Sequence, residues 1–233
     1  MLSSRAIARG TLVQFLGAAI GVAGVGRLPA GAAAPPAAFV PAAEALARLT
    51  AGNTRFVAGA MTNQNGVVER RMALAGGQAP FATILACSDS RAAPELVYDQ
   101  RVGDLFVVRN AGNFVTDAVL GTIEYGYSAL GSKLIVVLGH DSCGAISATY
   151  DAIKSGVPLK PHLDAIEQGI AGGIARVVAA HGTKNAASSA NARAQAAKLG
   201  TRSSVLHAGL ASGDLRVVAA EYQIADGHVT LLA

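Results

Sequence analysis

A chain of 233 residues that is 52% apolar and 15% charged has room for one domain with appendages and ample material for a core. The net charge of +4 includes Arg5, Arg9 and Arg27, which lie in an acid-free stretch of 32 residues, so the rest of the chain carries only +1. With no basic run interleaved with aromatics and no Trp, the composition argues against a nucleic-acid partner.

The first 32 residues have the three parts of an export signal: Arg5 and Arg9, an apolar run from Thr11 to Gly26, then small residues. Ala30-Gly31-Ala32 has the form that a signal peptidase cuts after. The apolar run falls short of the roughly 20 residues that span a bilayer. The expectation is an exported, periplasmic or secreted protein with no stable membrane association after cleavage. Residues 33–41, with Pro35, Pro36 and Pro41, read as a linker, and 42–233 as a single domain.

Leu46, Leu49, Phe56 and Val57 recur at helical spacing and predict an N-terminal helical arm over 42–60. Three apolar runs of strand length follow, at 81–86, 105–108 and 134–138, and a fourth lies at 215–220. Continuous rather than alternating apolar strands indicate a sheet buried on both faces. Helices are expected at 94–98, 117–130 and 145–153, and the Ala-rich tail from 161 to 212 reads as helices interrupted near 182–189. Residues 229–232, after the Asp226-Gly227 turn, suit a short edge strand. Alternating β and α elements make the fold class α/β, a central mainly parallel β-sheet flanked by helices.

Both cysteines of the chain begin or end a short polar motif beyond a strand. Cys87 opens Cys87-Ser88-Asp89-Ser90-Arg91, and Cys143 closes His140-Asp141-Ser142-Cys143. Zn²⁺ takes thiolate and imidazole ligands tetrahedrally, and a catalytic zinc keeps one position open. Cys87, His140 and Cys143 supply three such ligands. In parallel sheets ligands bind beyond the carboxyl ends of strands, where strand order reverses, so the motifs meet if the first and third strands are neighbours. A disulfide is the alternative, since two lone cysteines in an oxidising compartment pair by default. It leaves His140 and the Asp89/Arg91 pair without a role.

The two motifs together, with Gly77-Gln78-Ala79-Pro80, the run Phe106 to Asn113, Ile123-Glu124-Tyr125-Gly126 and the closing segment 215–232, resemble the β-class carbonic anhydrases. The resemblance covers roughly residues 42–233. It implies one zinc per chain on Cys87, His140 and Cys143, and a zinc-bound hydroxide that converts CO₂ to bicarbonate. Asp89 would orient that hydroxide and Arg91 would hold Asp89 off the metal. Gln78 would reach substrate from a neighbouring subunit in a homodimer or higher oligomer, with the 42–60 helix reaching across the partner. Phe106, Ala111 and Tyr125 match positions lining the CO₂ pocket, Ala111 being smaller than the expected valine. Gly144 matches a glycine whose N–H approaches substrate. Two other readings are hydrolysis of a CO₂ analogue such as CS₂ on the same scaffold, and a non-catalytic zinc-stabilised interaction module. The second is disfavoured because a structural zinc normally takes four protein ligands.

Overall fold

A computed structural model describes residues 39–63 and 66–233. The expected export signal and most of the expected linker lie outside the described residues. Five strands form one sheet in the order β2-β1-β3-β4-β5. They are β1 (Ala82–Cys87), β2 (Leu105–Asn110), β3 (Leu134–His140), β4 (Arg216–Tyr222) and β5 (Val229–Leu232). The first four run parallel, and β5 is antiparallel to β4. Gly227, at φ +81°, makes the turn between these two strands.

Of the four strands expected to be covered on both faces, β1 and β3 are fully so, whereas β2 at the sheet edge and β4 are only partly buried. Every residue of β1 and of β3 is buried, because helices cover both sides of the sheet. On one face Ala82, Ile84, Ala86, Leu134, Val136 and Leu138 pack with Ala45 and Leu49 of α1 (Ala42–Val57) and with Val97 of α3 (Pro94–Val97). On the other, Leu85, Ile135, Val137 and Ala219 meet α4 (Asp117–Ser128), α7 (Lys184–Arg202) and α8 (Ser204–Ser212). A third cluster lies beyond the strand ends, where α5 (Gly144–Ser155) and α6 (Asp164–Ala179) enclose Cys87 and Cys143 with Phe114, Ile146, Ile170 and Ile174.

Three features depart from the sequence reading. The break in the Ala-rich tail is shorter than 182–189, because the Thr183 side chain accepts the Ala186 N–H and restarts the helix at Lys184. A second break occurs at Ser203, which caps α8 by accepting from Leu206 N. A short helix, α2 (Val67–Ala73), was not anticipated and has no buried residue.

The N-terminal helix is docked on its own chain. Ala45, Leu49, Gly52 and Asn53 are buried, and the Asn53 amide donates to the carbonyls of Val97 and Gly227 while its oxygen accepts from Val229 N. Only its outward face remains for a partner. Among the described residues no helix is long and apolar enough to cross a membrane.

Candidate metal centre

The sheet order places the site. After β1 the chain adds β2 on one side, then returns across β1 to lay β3 on the other, so strand order reverses at the β1/β3 seam. Cys87 ends β1 and His140 ends β3. By alternation Cys87 belongs to the α4/α7 face and His140 to the α1 face. They converge because each is the last residue of its strand, over the open end of the sheet. Cys143 follows on the N-cap of α5, where the helix dipole favours a thiolate.

The two sulfurs and one imidazole nitrogen all lie within 4.8 Å of one another, and all three residues are buried. Cys87 Sγ and Cys143 Sγ are 3.9 Å apart and both cysteines are free. Two sulfurs each about 2.3 Å from a tetrahedral ion stand roughly 3.8 Å apart, whereas a disulfide requires about 2.05 Å. His140 Nδ1 is 2.7 Å from the Asp141 carbonyl, to which it must donate, so Nε2 carries the lone pair. That Nε2 is buried without a hydrogen-bond partner among the described residues. A buried imidazole acceptor beside two thiols suits a thiophilic cation.

The electrostatics agree. The hydrogen bond from Cys143 lowers the Cys87 thiol against the opposing effect of burial, helped by His140 and the Gly112 amide. The same interaction, with burial, pushes the Cys143 thiol up. Burial favours neutral His140, but the neighbouring Cys87 outweighs it and raises the imidazole above its ordinary value.

Asp89 stands at the rim, its Oδ2 3.9 Å from His140 Nε2. Arg91 grips it with two side-chain bonds, Nε to Oδ1 at 2.9 Å and Nη2 to Oδ2 at 2.7 Å, and its backbone N–H adds a third at 2.9 Å. These bonds hold the Asp89 carboxyl well below the usual carboxylate range. The carboxylate is thus turned onto Arg91, outside the Cys–His–Cys cluster.

The remaining expected site residues divide into two groups. Ala111 and Gly144 are near the cluster: Ala111 adjoins Gly112, whose N–H donates to Cys87 Sγ at 3.3 Å, and Gly144 opens α5. A Cβ built on Gly144 meets nothing within 4 Å, so packing within the chain does not demand glycine there. Phe106 and Tyr125 form a ring pair with centroids 6.1 Å apart, but at the other end of the sheet. Phe106 pairs with Thr83, four positions before the Cys87–Asn110 pair, or about 13 Å along the strand. Tyr125 is 52% exposed, and exposed Gln78 precedes the start of β1. All three lie away from the Cys–His–Cys cluster of their own chain.

Two residues escaped the sequence reading. Arg109 donates from Nε to the Cys87 carbonyl at 2.8 Å and from Nη2 to the Asp89 carbonyl at 2.6 Å, fastening the loop that carries both. Its signals were its place in the Phe106 to Asn113 run and a cation closing an apolar strand, neither of which gave it a role. Gly112, at φ +89°, is in the left-handed region, and a Cβ there would lie 2.4 Å from Ile170 Cδ1.

Residues 82–229 match the family model described as carbonic anhydrase. This chain belongs to the β-carbonic anhydrases. It is 41% identical over 188 residues to a carbonic anhydrase of Mycolicibacterium smegmatis, covering 77% of this chain and 88% of that one. Carbonic anhydrase 2 of Mycobacterium tuberculosis is 41% identical over 191 residues, covering 78% and 89%. Among solved structures, the β-carbonic anhydrase CcaA superimposes with a TM-score of 0.64 at 28% identity, over 81% of this chain and 91% of that one. One of two tetrameric β-carbonic anhydrases from Sordaria macrospora gives 0.61 at 26%, over 73% and 88%. The chain is therefore a carbonic anhydrase, a lyase of CO₂ hydration, and β-carbonic anhydrases are zinc enzymes. In this member the Cys87–His140–Cys143 cluster has the donor chemistry that zinc binding requires.

Proposed function

We propose that this carbonic anhydrase hydrates CO₂ reversibly to bicarbonate and a proton, using one zinc per chain held by Cys87, His140 and Cys143. The observation that carries the reading is the buried, unpartnered His140 Nε2 beside two sulfurs at tetrahedral spacing. Zinc held there would supply Lewis acidity, acidifying a water by several pKa units at about 1.36 kcal/mol per unit.

The chain's own groups do the rest. Asp89, kept ionised by Arg91, can only accept a hydrogen bond, and so turns the hydrogen of the attacking water away from the CO₂ carbon. Arg91 spends two side-chain donors on Asp89 and thereby keeps it from swinging inward. Gly144, free of neighbours over its Cα, leaves room for substrate beside the first turn of α5. Because two thiolates neutralise a divalent cation, whereas three imidazoles would not, activity rises toward alkaline pH.

A homodimer or higher oligomer is the working unit. Gln78, Phe106 and Tyr125 lie at the wrong end of their own sheet, so each completes the pocket of a partner. The tetrameric Sordaria enzymes support this assembly. The arginine-led apolar leader ending in Ala30-Gly31-Ala32 supports export of the enzyme.

Stopped-flow CO₂ hydration on metal-quantified protein, run beside Asp89→Asn, tests the reading. The expected result is one zinc per chain and a wild-type rate that the variant loses while keeping its metal. One zinc per chain without hydration at alkaline pH would overturn it.

A further inference from the structure

We propose that α7 is a positioning element for the metal site, acting through the buried row Ser188, Asn191 and Gln195 on the backbone of His140 and on that of Gly112, whose N–H bonds the Cys87 sulfur. The inference rests on these residues being metal ligands. The three side chains follow one another at i, i+3 and i+7, so they lie on one face of the helix. They are at most 3% exposed, among Ala187, Ala192 and Leu199. A buried polar group needs a partner, and the partners here lead to the metal cluster.

Ser188 Oγ donates to the His140 carbonyl at 2.7 Å. Asn191 Nδ2 donates to the Gly112 carbonyl at 2.9 Å, and Gly112 N–H donates to Cys87 Sγ at 3.3 Å. Gln195 sets the sense of that relay. Its Nε2 donates to Asn191 Oδ1 at 2.9 Å, which commits the amide nitrogen of Asn191 to Gly112. Gln195 is fixed in turn by Val115 N–H, donating to its Oε1 at 3.0 Å, and by the Gly169 carbonyl, which accepts from its Nε2 at 3.0 Å.

Close packing makes the relay stiff. A Cβ on Gly139 would sit 3.3 Å from Ala192 Cβ and 3.4 Å from Ser188 Oγ, so α7 lies directly on the strand end that carries His140. An N–H···S bond withdraws charge from a thiolate and fixes the direction of its lone pairs. Asn191 therefore sets how strongly and in what direction Cys87 donates to a metal, though it touches neither metal nor substrate. Outer-shell partners of this kind typically change metal affinity about 10–100-fold when removed.

The experiment follows zinc release into excess chelator from the full-length holoenzyme, together with the thiolate-to-metal charge-transfer band of the cobalt(II)-substituted protein. Asn191→Ala is expected to release zinc about 10–100-fold faster and to shift the band. Ser188→Ala should change release in the same direction, through His140. Ser189→Ala, on the same helix but bonded to Glu221, should match wild type in both readouts. Wild-type release and an unshifted band in Asn191→Ala and Ser188→Ala would overturn the proposal, whatever their melting temperatures, because a merely structural role predicts that pattern. Should Asn191→Ala not fold, Ser188→Ala decides alone by the same criterion. A wild-type protein that holds no zinc or cobalt overturns the ligand assignment and this inference together, whereas metal-binding wild type with unaltered variants overturns only the inference.

Discussion

Gly112→Ala puts the greatest demand on the geometry around Cys87. Alanine at φ +89° costs about 1–2 kcal/mol for a left-handed L residue. Its Cβ would lie 2.4 Å from Ile170 Cδ1 and 3.2 Å from Ala145 Cβ. Ile170 is fully buried in the cluster that encloses both cysteines, so its methyl cannot swing aside freely, and overpacking of this kind adds about 1–3 kcal/mol. Together the two effects come to about 2–5 kcal/mol, a fall in melting temperature of about 5–20 °C for a chain of this size. The loop can relieve the clash only by withdrawing the Gly112 N–H from Cys87, so zinc content after dialysis should fall too. Thermal unfolding of the metal-free protein isolates the packing cost, and zinc quantification reads the lost N–H···S bond. Ile170→Val removes the clashing Cδ1 and should recover part of the loss in the Gly112→Ala background. A Gly112→Ala protein with wild-type melting temperature and a full complement of zinc would refute the reasoning.

Arg91→Ala removes both side-chain donors from Asp89 but leaves the backbone N–H. Turnover should fall about 100-fold with zinc retained, because Asp89 is then free to turn inward; zinc loss in the variant would instead indicate a structural role. Gly52→Ala reverses a common rule, because alanine inside a helix usually gains about 1 kcal/mol over glycine. Here its Cβ would lie 1.8 Å from the Tyr98 carbonyl oxygen, so urea unfolding should show a loss of about 3 kcal/mol, and a gain would mean that α1 is not docked as described. Asp99 is buried, and although burial opposes its ionisation, Arg55 and the amides of Asn63 and Thr62 hold its pKa down. Its stabilisation is therefore complete above the ordinary carboxylate range and is lost as pH falls below that range, through the lower pKa of the folded state. Asp99→Asn should be destabilised by about 3 kcal/mol near neutrality and show a shallower acid-unfolding profile between about pH 5 and 2; an unchanged profile would remove Asp99 from the acid response.

The strands were legible because a buried parallel sheet needs uninterrupted apolar runs, and the runs ending at Cys87 and His140 are of that kind. The shorter break at 180–183 and the cap at Ser203 were hidden because a single threonine or serine hydroxyl decides where a helix restarts. Arg109 and Gly112 escaped for a different reason: each acts through backbone or sulfur atoms of a residue more than 20 positions away, a relation that no local pattern records. Asn191 and Gln195 looked like ordinary polar residues of an Ala-rich helix until their burial was seen. Phe106 and Tyr125, with Ala111, matched pocket-lining positions by resemblance, but the place of the first two at the far end of the sheet follows only from the register.

From sequence alone the donor types were determined, because softness, charge and ligand number are properties of side chains and do not depend on the path of the chain. So was the sheet's burial, which follows from hydropathy. Tertiary structure decided that β3 lies beside β1, which brings Cys87 within bonding range of one ion together with two donors 53 and 56 positions further along the chain. It also decided that Asp89 turns onto Arg91, and that a helix from far along the chain braces the cluster. Such arrangements depend on which strand ends meet in space, and that is settled only when the two faces of the sheet are covered together.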